Sequence, residues 1–125
     1  MSTPRLVLLT LGRLTFEVQL GARLADEAAA RLAARDDVTI VRHAPLVVEA
    51  PDAEAAVGAI RAADPDGVVI LNGTFALGTL AQFIAREVDL PILLWALPEP
   101  AEQTGSLRLN SLVGAHVNAS NLYKQ

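Results

Sequence analysis

Short, continuous apolar runs alternate with longer amphipathic stretches along this chain. Four runs have the length of buried strands, and they cover residues 5–11, 38–41, 68–71 and 92–97. Unbroken apolar runs of this length are typical of parallel strands that are buried on both faces. Apolar residues recur at helical spacing elsewhere, which predicts helices over 16–35, 52–63, 74–88 and 107–122.

The pattern also predicts details within these elements. Asp52 and Thr74 precede apolar-periodic stretches, so we expect each to cap the helix that follows it. The segment 44–50 is bounded by prolines and is expected to be extended, as an edge strand or a loop. Trp95 lies within the fourth strand, where core packing is its expected role. The third predicted helix should have four residues on its buried face: Leu77, Leu80, Ile84 and Val88.

Strands and helices that alternate with short connections indicate a parallel sheet with right-handed crossovers. We therefore predict an α/β, flavodoxin-like open parallel sheet of about four strands, with helices on both faces. Sheets of this class usually have five strands, in the order 2-1-3-4-5. The missing fifth strand leaves two interpretations open, a small four-stranded variant or the front piece of a larger protein.

Composition narrows the function classes. The 125 residues fit one domain, and the net charge is −4 with scattered basic residues, which argues against a nucleic-acid partner. Cysteine is absent, so disulfides and thiolate metal sites are excluded. No apolar run approaches the length of a membrane span, and the N-terminal run is interpreted as a strand and not a signal peptide. We expect a cytoplasmic protein without a membrane partner.

Polar residues follow three of the predicted strands. Arg13 comes after the first, Asn72-Gly73-Thr74 after the third, and Glu99 after the fourth, between two prolines. Ligands of open α/β sheets bind at this carboxyl edge. Arg13 is either a donor fork for hydroxyls and anions or a solvated turn residue. An ordinary turn explains Asn72-Gly73-Thr74 better on residues alone, and a rigid surface loop explains Glu99.

No catalytic constellation is visible. His43 and His116 are far apart and lack the additional ligands that a metal site needs, so we interpret them as structural or surface residues. The dinucleotide, phosphate-loop and nucleophile-elbow motifs are absent. The sequence therefore contains no predicted catalytic or metal-binding residue.

The chain resembles the N-terminal domain of the L-fucose/L-arabinose isomerase family. Four stretches carry the resemblance: Gly12-Arg13, Asn72-Gly73-Thr74, the run from Pro91 to Trp95 with Pro98-Glu99-Pro100, and the run from Leu107 to Leu112 with Gly114. One departure is Leu14, where fucose isomerases tend to have proline. By this resemblance, residues 1–106 form the N-terminal domain, and 107–125 form a helix that leads toward a second, missing domain.

The resemblance implies a function for the parent protein. The family interconverts aldoses and ketoses with a divalent metal, usually Mn²⁺, whose ligands lie in later domains. The first domain helps to close the active site of a neighbouring subunit, so a homo-oligomer, the remaining domains of the parent and a sugar substrate are the expected partners. Arg13 is the first candidate for a substrate contact in trans, followed by Asn72, Gly73 and Thr74. Glu99 and Arg108 are weaker candidates, for the same site or for interdomain or intersubunit contacts.

The chain alone is expected to be inactive and to hold no cofactor. Two alternatives remain open from the sequence. One is a stand-alone module that binds a small sugar or an anion in the same crevice, and the other is a purely structural assembly domain.

Overall fold

The computed structural model describes residues 3–99 and 108–124. Within these residues strands and helices alternate strictly, as the apolar pattern predicts. The elements, in chain order, are β1 (Arg5–Leu11), α1 (Val18–Ala33), β2 (Thr39–Arg42), α2 (Ala50–Ala63), β3 (Gly67–Asn72), α3 (Gly78–Glu87), β4 (Ile92–Ala96) and α4 (Ser111–Tyr123).

The four strands form one parallel sheet in the order β2-β1-β3-β4. The strands β1 and β3 lie in the middle, and every residue from Val7 to Leu11 and from Gly67 to Asn72 is buried. This confirms the predicted flavodoxin-like α/β class. The extended segment before α2 adds a single bridge between Val47 and Leu11, so it runs beside β1 without becoming a fifth strand.

Helices cover both faces of the sheet. On one face, α2 and α3 pack against side chains of the two central strands, such as Leu9 and Ile70. On the other face, α1 packs against Leu8 and Leu71 through Ala25 and Ala29. The last helix, α4, packs against α3 and against the ends of β3 and β4. This arrangement places α4 at the carboxyl edge of the sheet, where the connecting loops meet.

Two predicted helix starts are wrong by several residues. The N-cap of α2 is Glu49, and Asp52 lies inside the helix, where its carboxylate accepts the backbone N–H of Glu49 at 3.0 Å in a capping box. Helix α3 begins at Gly78 after Leu77, so Thr74 does not cap it. Leu77 is 39% exposed because it lies in the turn before the helix and not on its inner face.

The final helix also begins later than predicted. Its first residue is Ser111, and Arg108, Leu109 and Asn110 precede it as irregular backbone. Asn110 has a positive φ of 52°, which asparagine tolerates better than most residues. Among the helices of residues 3–99 and 108–124, none combines the length and the apolar character that a bilayer crossing requires.

Candidate functional site

The carboxyl ends of three strands lie side by side in the sheet. The register pairs Leu11 of β1 with Asn72 of β3, and Asn72 with Ala96 of β4. The loops that leave these strands therefore start next to one another. All six predicted site residues lie in or beside these loops, so the structure brings them to one edge of the sheet.

The loops after β1 and β3 are hydrogen-bonded to each other. The backbone N–H of Gly73 donates to the carbonyl of Leu11 at 3.0 Å, and that of Arg13 donates to the hydroxyl oxygen of Thr74 at 2.9 Å. The hydroxyl of Thr74 donates in turn to the carbonyl of Phe75 at 2.8 Å. Thr74 is completely buried, so it acts as an internal tie that sets the position of Arg13.

Gly73 is needed at a point of close backbone approach. A Cβ atom on Gly21, in the first turn of α1, would lie 2.6 Å from the carbonyl oxygen of Gly73. A Cβ atom on Gly73 itself would lie 3.0 Å from a methyl group of Thr10. Two glycines therefore let the start of α1 pack directly on the loop after β3, and any side chain at either position would push them apart.

Asn72 connects the central strand to the last helix. The hydroxyl of Ser111 donates to the carbonyl of Asn72 and accepts the backbone N–H of Leu97 at 2.7 Å. The side-chain amide of Asn118 donates to Oδ1 of Asn72 at 2.8 Å. Within the described residues, Nδ2 of Asn72 and Oδ1 of Asn118 are buried without a hydrogen-bond partner. Asn72 therefore faces the interior and does not line an open crevice.

Glu99 organises the backbone in front of α4. Its carboxylate accepts the N–H groups of three successive residues, Arg108 at 3.1 Å, Leu109 at 3.1 Å, and Asn110. Successive backbone N–H groups that converge on one anion form a compact anion-binding turn. Glu99 itself supplies that anion, so its side chain links the end of β4 to the start of α4.

Arg108 forms a two-pronged ion pair with Glu17 at the start of α1. The two guanidinium–carboxylate distances are 2.6 Å and 2.9 Å, and the N–H of Glu17 donates to the carbonyl of Arg108 at 3.0 Å. The hydrogen bonds from Arg108, with its positive charge, lower the pKa of Glu17 below its ordinary value. Arg108 therefore links the β4–α4 connection to the β1–α1 loop.

Arg13 differs from the other five predicted residues. It is exposed, and its guanidinium forms no hydrogen bond or ion pair with any side chain in residues 3–99 and 108–124. Its neighbour Leu14 is 72% exposed. The fixed backbone and the outward side chain make Arg13 the candidate that can contact a molecule outside this domain.

The sequence analysis did not identify three residues of this network as site residues: Glu17, Ser111 and Asn118. A signal was present for the last two, because Ser111, Gly114 and Asn118 recur at helical spacing as a small and polar stripe, and all three are buried. Such a stripe on an otherwise apolar helix indicates close packing or buried hydrogen bonds. Glu17 gave no local signal, because its partner is 91 residues away.

The described residues do not form a metal site. In 3–99 and 108–124 there is no group of three or more His, Asp or Glu side chains that could hold an ion. His116 is exposed on α4, and His43 is half-buried after β2. These positions match the structural or surface roles that the sequence predicts for both histidines.

An apolar groove of about 610 Å³ lies on the α1 face of the sheet, beside β4. Trp95 is one of the residues that line the groove, and it also packs against the core, as the sequence predicts. The remaining lining residues are Leu20, Leu24, Glu27, Ala28, Arg31, Leu32, Arg35, Leu97, Pro98 and Glu99.

Comparison with known proteins supports the resemblance found in the sequence. The family described as "Fucose/sulfoquinovose isomerase, N-terminal domain" matches residues 8–125. A sulfoquinovose isomerase from Clostridium sp. (strain MSTE9) is 45% identical over 56 residues, which are 45% of this chain and 12% of that protein. The matched part thus spans a small fraction of a much longer relative. The expected isomerase family is confirmed.

Proposed function

The chain belongs to the fucose/sulfoquinovose isomerase family, as its N-terminal domain, and from that premise we propose that it serves an aldose–ketose isomerase. Its role is to contact the sugar at the active site of a neighbouring subunit and to contribute to the oligomer. In this proposal the Mn²⁺ that the family resemblance implies is held by other domains of the parent protein, and the described residues offer no cluster of ligands for it.

The position of Arg13 carries this proposal. All six candidate residues take part in contacts within the domain, and these contacts hold the loops at the carboxyl edge in place. Arg13 differs from the other five because it does so through its backbone N–H, while its charged side chain is exposed and has no hydrogen bond or ion pair among the described residues. A donor on a fixed backbone loses little freedom when it binds, which favours a contact with a ligand in an adjoining subunit.

The charge of Arg13 favours an anionic sugar. The relative from Clostridium is named for sulfoquinovose, a sugar that carries a sulfonate group. A guanidinium offers a planar fork of donors to such an oxyanion, whereas a neutral sugar such as L-fucose can use it only through hydroxyl groups. We therefore place sulfoquinovose before L-fucose as the substrate of the parent protein.

The test measures aldose–ketose isomerisation by the parent protein with Arg13→Ala. Loss of a charged hydrogen bond costs about 1.5–3 kcal/mol, so we expect kcat/KM for sulfoquinovose to fall at least about tenfold, with partial rescue by Arg13→Lys. Arg86→Ala removes an equally charged, exposed side chain from the far end of α3 and should change nothing. Unchanged kinetics in Arg13→Ala would overturn the assigned contact.

The same assay on the 125-residue chain tests the location of the chemistry. We expect no isomerisation of sulfoquinovose or L-fucose with or without added Mn²⁺. Turnover by the isolated chain would show that the catalytic groups lie within it and would contradict the proposed division between domains.

A further inference from the structure

On the face of the sheet that carries α1, the described residues leave the edge strand β4 incompletely covered. The opposite face holds two helices, α2 and α3, packed against β1, β3 and β4. On the α1 face, α1 packs against β2, β1 and β3, so that Val69 and Leu71 of β3 are buried, and no residue of α4 lines the groove beside it. Above β4 the side chain of Leu93 is 60% exposed. Among residues 3–99 and 108–124, no second helix lies beside α1 over this part of β4.

The space above β4 fits a single helix beside α1. Neighbouring strands lie about 4.8 Å apart, so β4, which is two strands away from β1, lies roughly 10 Å from the strand beneath α1. Packed helices lie about 8–10 Å apart, which matches this spacing. Parallel sheets are normally covered on both faces, and an exposed apolar strip with a polar rim marks an interaction surface.

The rim of the groove carries charged side chains of α1, and their sign changes from negative to positive along the helix. Glu27 lies on α1 beside the middle of the groove, and Arg31 and Arg35 follow it one and two turns later. Arg35 is paired with Asp37 at 2.7 Å, whereas Arg31 has no ion pair among the described residues. The groove therefore offers its free positive charge at the end that is farther from the loops of the candidate site.

We propose that a helix of the parent polypeptide, from outside this N-terminal domain, covers the groove. This helix lies alongside α1, with its apolar side on Trp95 and Leu93 and with acidic residues facing Arg31. The proposal rests on family membership and not on the role of Arg13. The named relative is several times longer than this chain, since 56 residues are only 12% of it, so the parent has ample polypeptide to supply the helix.

A second copy of this chain fits the groove less well. If two copies packed face to face, the charged outer side of α1, with Arg23 and Asp26, would be pressed onto Trp95. Such a contact would bury charged side chains against an apolar surface, which costs free energy.

The chemistry of the surface can be tested on the 125-residue chain. Trp95 is its only tryptophan, so its fluorescence reports on the groove. The probe is a 16-residue, tryptophan-free helical peptide with a leucine stripe flanked by glutamates, and its matched control has lysines at the flank. We expect saturable binding with a blue shift for the acidic peptide, at least fivefold weaker binding for the basic one, and the reverse order in Arg31→Glu.

Two variants with equal starting exposure locate the binding surface. Leu93→Glu changes an exposed side chain beside the groove, two residues before Trp95 in β4, and should weaken binding of the acidic peptide at least tenfold. Leu112→Glu changes a side chain on α4 that is also 60% exposed, and it should bind as the unmodified chain does. Absence of a saturable response, equal binding of the two peptides, or a loss caused by Leu112→Glu alone would overturn the proposal.

The source of the helix needs a second experiment. The chain has no cysteine, so Leu93→Cys introduces a thiol whose alkylation can be followed by mass spectrometry of the peptide that contains it. We expect at least tenfold slower alkylation in the parent protein than in the 125-residue chain, while Ala62→Cys on the exposed side of α2 reacts equally in both. Equal rates at position 93 overturn the proposal. So does a concentration-dependent dimer of the isolated chain that protects Cys introduced there, which would assign the groove to a second copy.

Discussion

The hydroxyl oxygen of Thr74 accepts the backbone N–H of Arg13 at 2.9 Å, although the two residues are 61 positions apart in the sequence. This bond joins the loops that follow the two central strands. It gives the buried hydroxyl of Thr74 a partner, and it fixes the backbone of Arg13 while the Arg13 side chain is exposed. At this edge of the sheet, Thr74 therefore holds two loops together, and the side chain of Arg13 points away from them.

Replacing Thr74 with valine should destabilise the domain. Valine keeps the shape of threonine but cannot accept the N–H of Arg13, and an unsatisfied buried donor costs about 1–3 kcal/mol. We expect the free energy of unfolding in urea to fall by that amount. Thr79→Val makes the same exchange at an exposed position in α3 and should stay within about 0.5 kcal/mol of the unmodified chain. Equal stability of the two variants would show that the bond is unimportant.

Two glycine-to-alanine substitutions in helices should have opposite effects. In Gly21→Ala the new Cβ would lie 2.6 Å from the carbonyl of Gly73, so α1 and the loop must separate. We expect a loss of about 1–3 kcal/mol, as in other overpacked sites. At Gly58, in α2, a Cβ meets nothing within 4 Å, so alanine should stabilise the helix by about 0.5–1 kcal/mol. Thermal unfolding of both variants measures the difference, and a stabilised Gly21→Ala would disprove the close contact.

His43 should make the stability of the domain depend on pH near neutrality. Burial lowers the pKa of His43 below its ordinary value of 6.5, because desolvation disfavours the charged imidazole. The unfolded state therefore binds a proton first as the pH falls. The full stability is present above about pH 6.5 and is lost as the pH decreases toward the folded-state pKa.

Urea unfolding at pH 7.5 and at pH 5.5 tests this prediction. We expect the unmodified chain to be less stable at pH 5.5 and His43→Gln to show a smaller decrease. At still lower pH both proteins should lose stability together, because Arg108 lowers the pKa of Glu17 and Arg35 lowers the pKa of Asp37. An identical decrease from pH 7.5 to 5.5 in the two proteins would assign the effect to other groups.

The strands were predictable because a strand that is buried on both faces requires a continuous run of apolar residues. The bounds of β1, Arg5 to Leu11, coincide with the apolar run, since both faces of a central parallel strand are covered. Helix starts were less predictable. Thr74 has the side chain of a good cap, but its hydroxyl is engaged by Arg13 and Phe75, so α3 starts four residues later.

The contacts within the candidate site were also only partly predictable from the sequence. The sequence indicated that Arg13, Asn72-Gly73-Thr74 and Glu99 lie at the carboxyl edge, because topology brings strand ends together. It could not indicate that Glu99 holds three backbone N–H groups or that Arg108 pairs with Glu17, because those contacts depend on how distant loops pack. Asn72 could be predicted as buried only by noticing the polar stripe on α4 that includes Asn118.

Replacing Glu99 with glutamine should destabilise the connection between the sheet and α4. The carboxylate accepts the N–H groups of Arg108, Leu109 and Asn110, and a neutral amide offers one acceptor oxygen and no charge in its place. Charge-assisted hydrogen bonds are worth about 1.5–3 kcal/mol each in net stability, so we expect a loss of at least about 1.5 kcal/mol in urea unfolding. Hydrogen exchange should also accelerate at the amides of Leu109 and Asn110.

Glu54→Gln, on the exposed side of α2, removes the same charge without any backbone partner among the described residues and should leave both measurements unchanged. If Glu99→Gln matched Glu54→Gln in stability and in exchange at those two amides, the turn would be held by its own backbone, and Glu99 would be free to serve as the weaker candidate contact that the family resemblance implies.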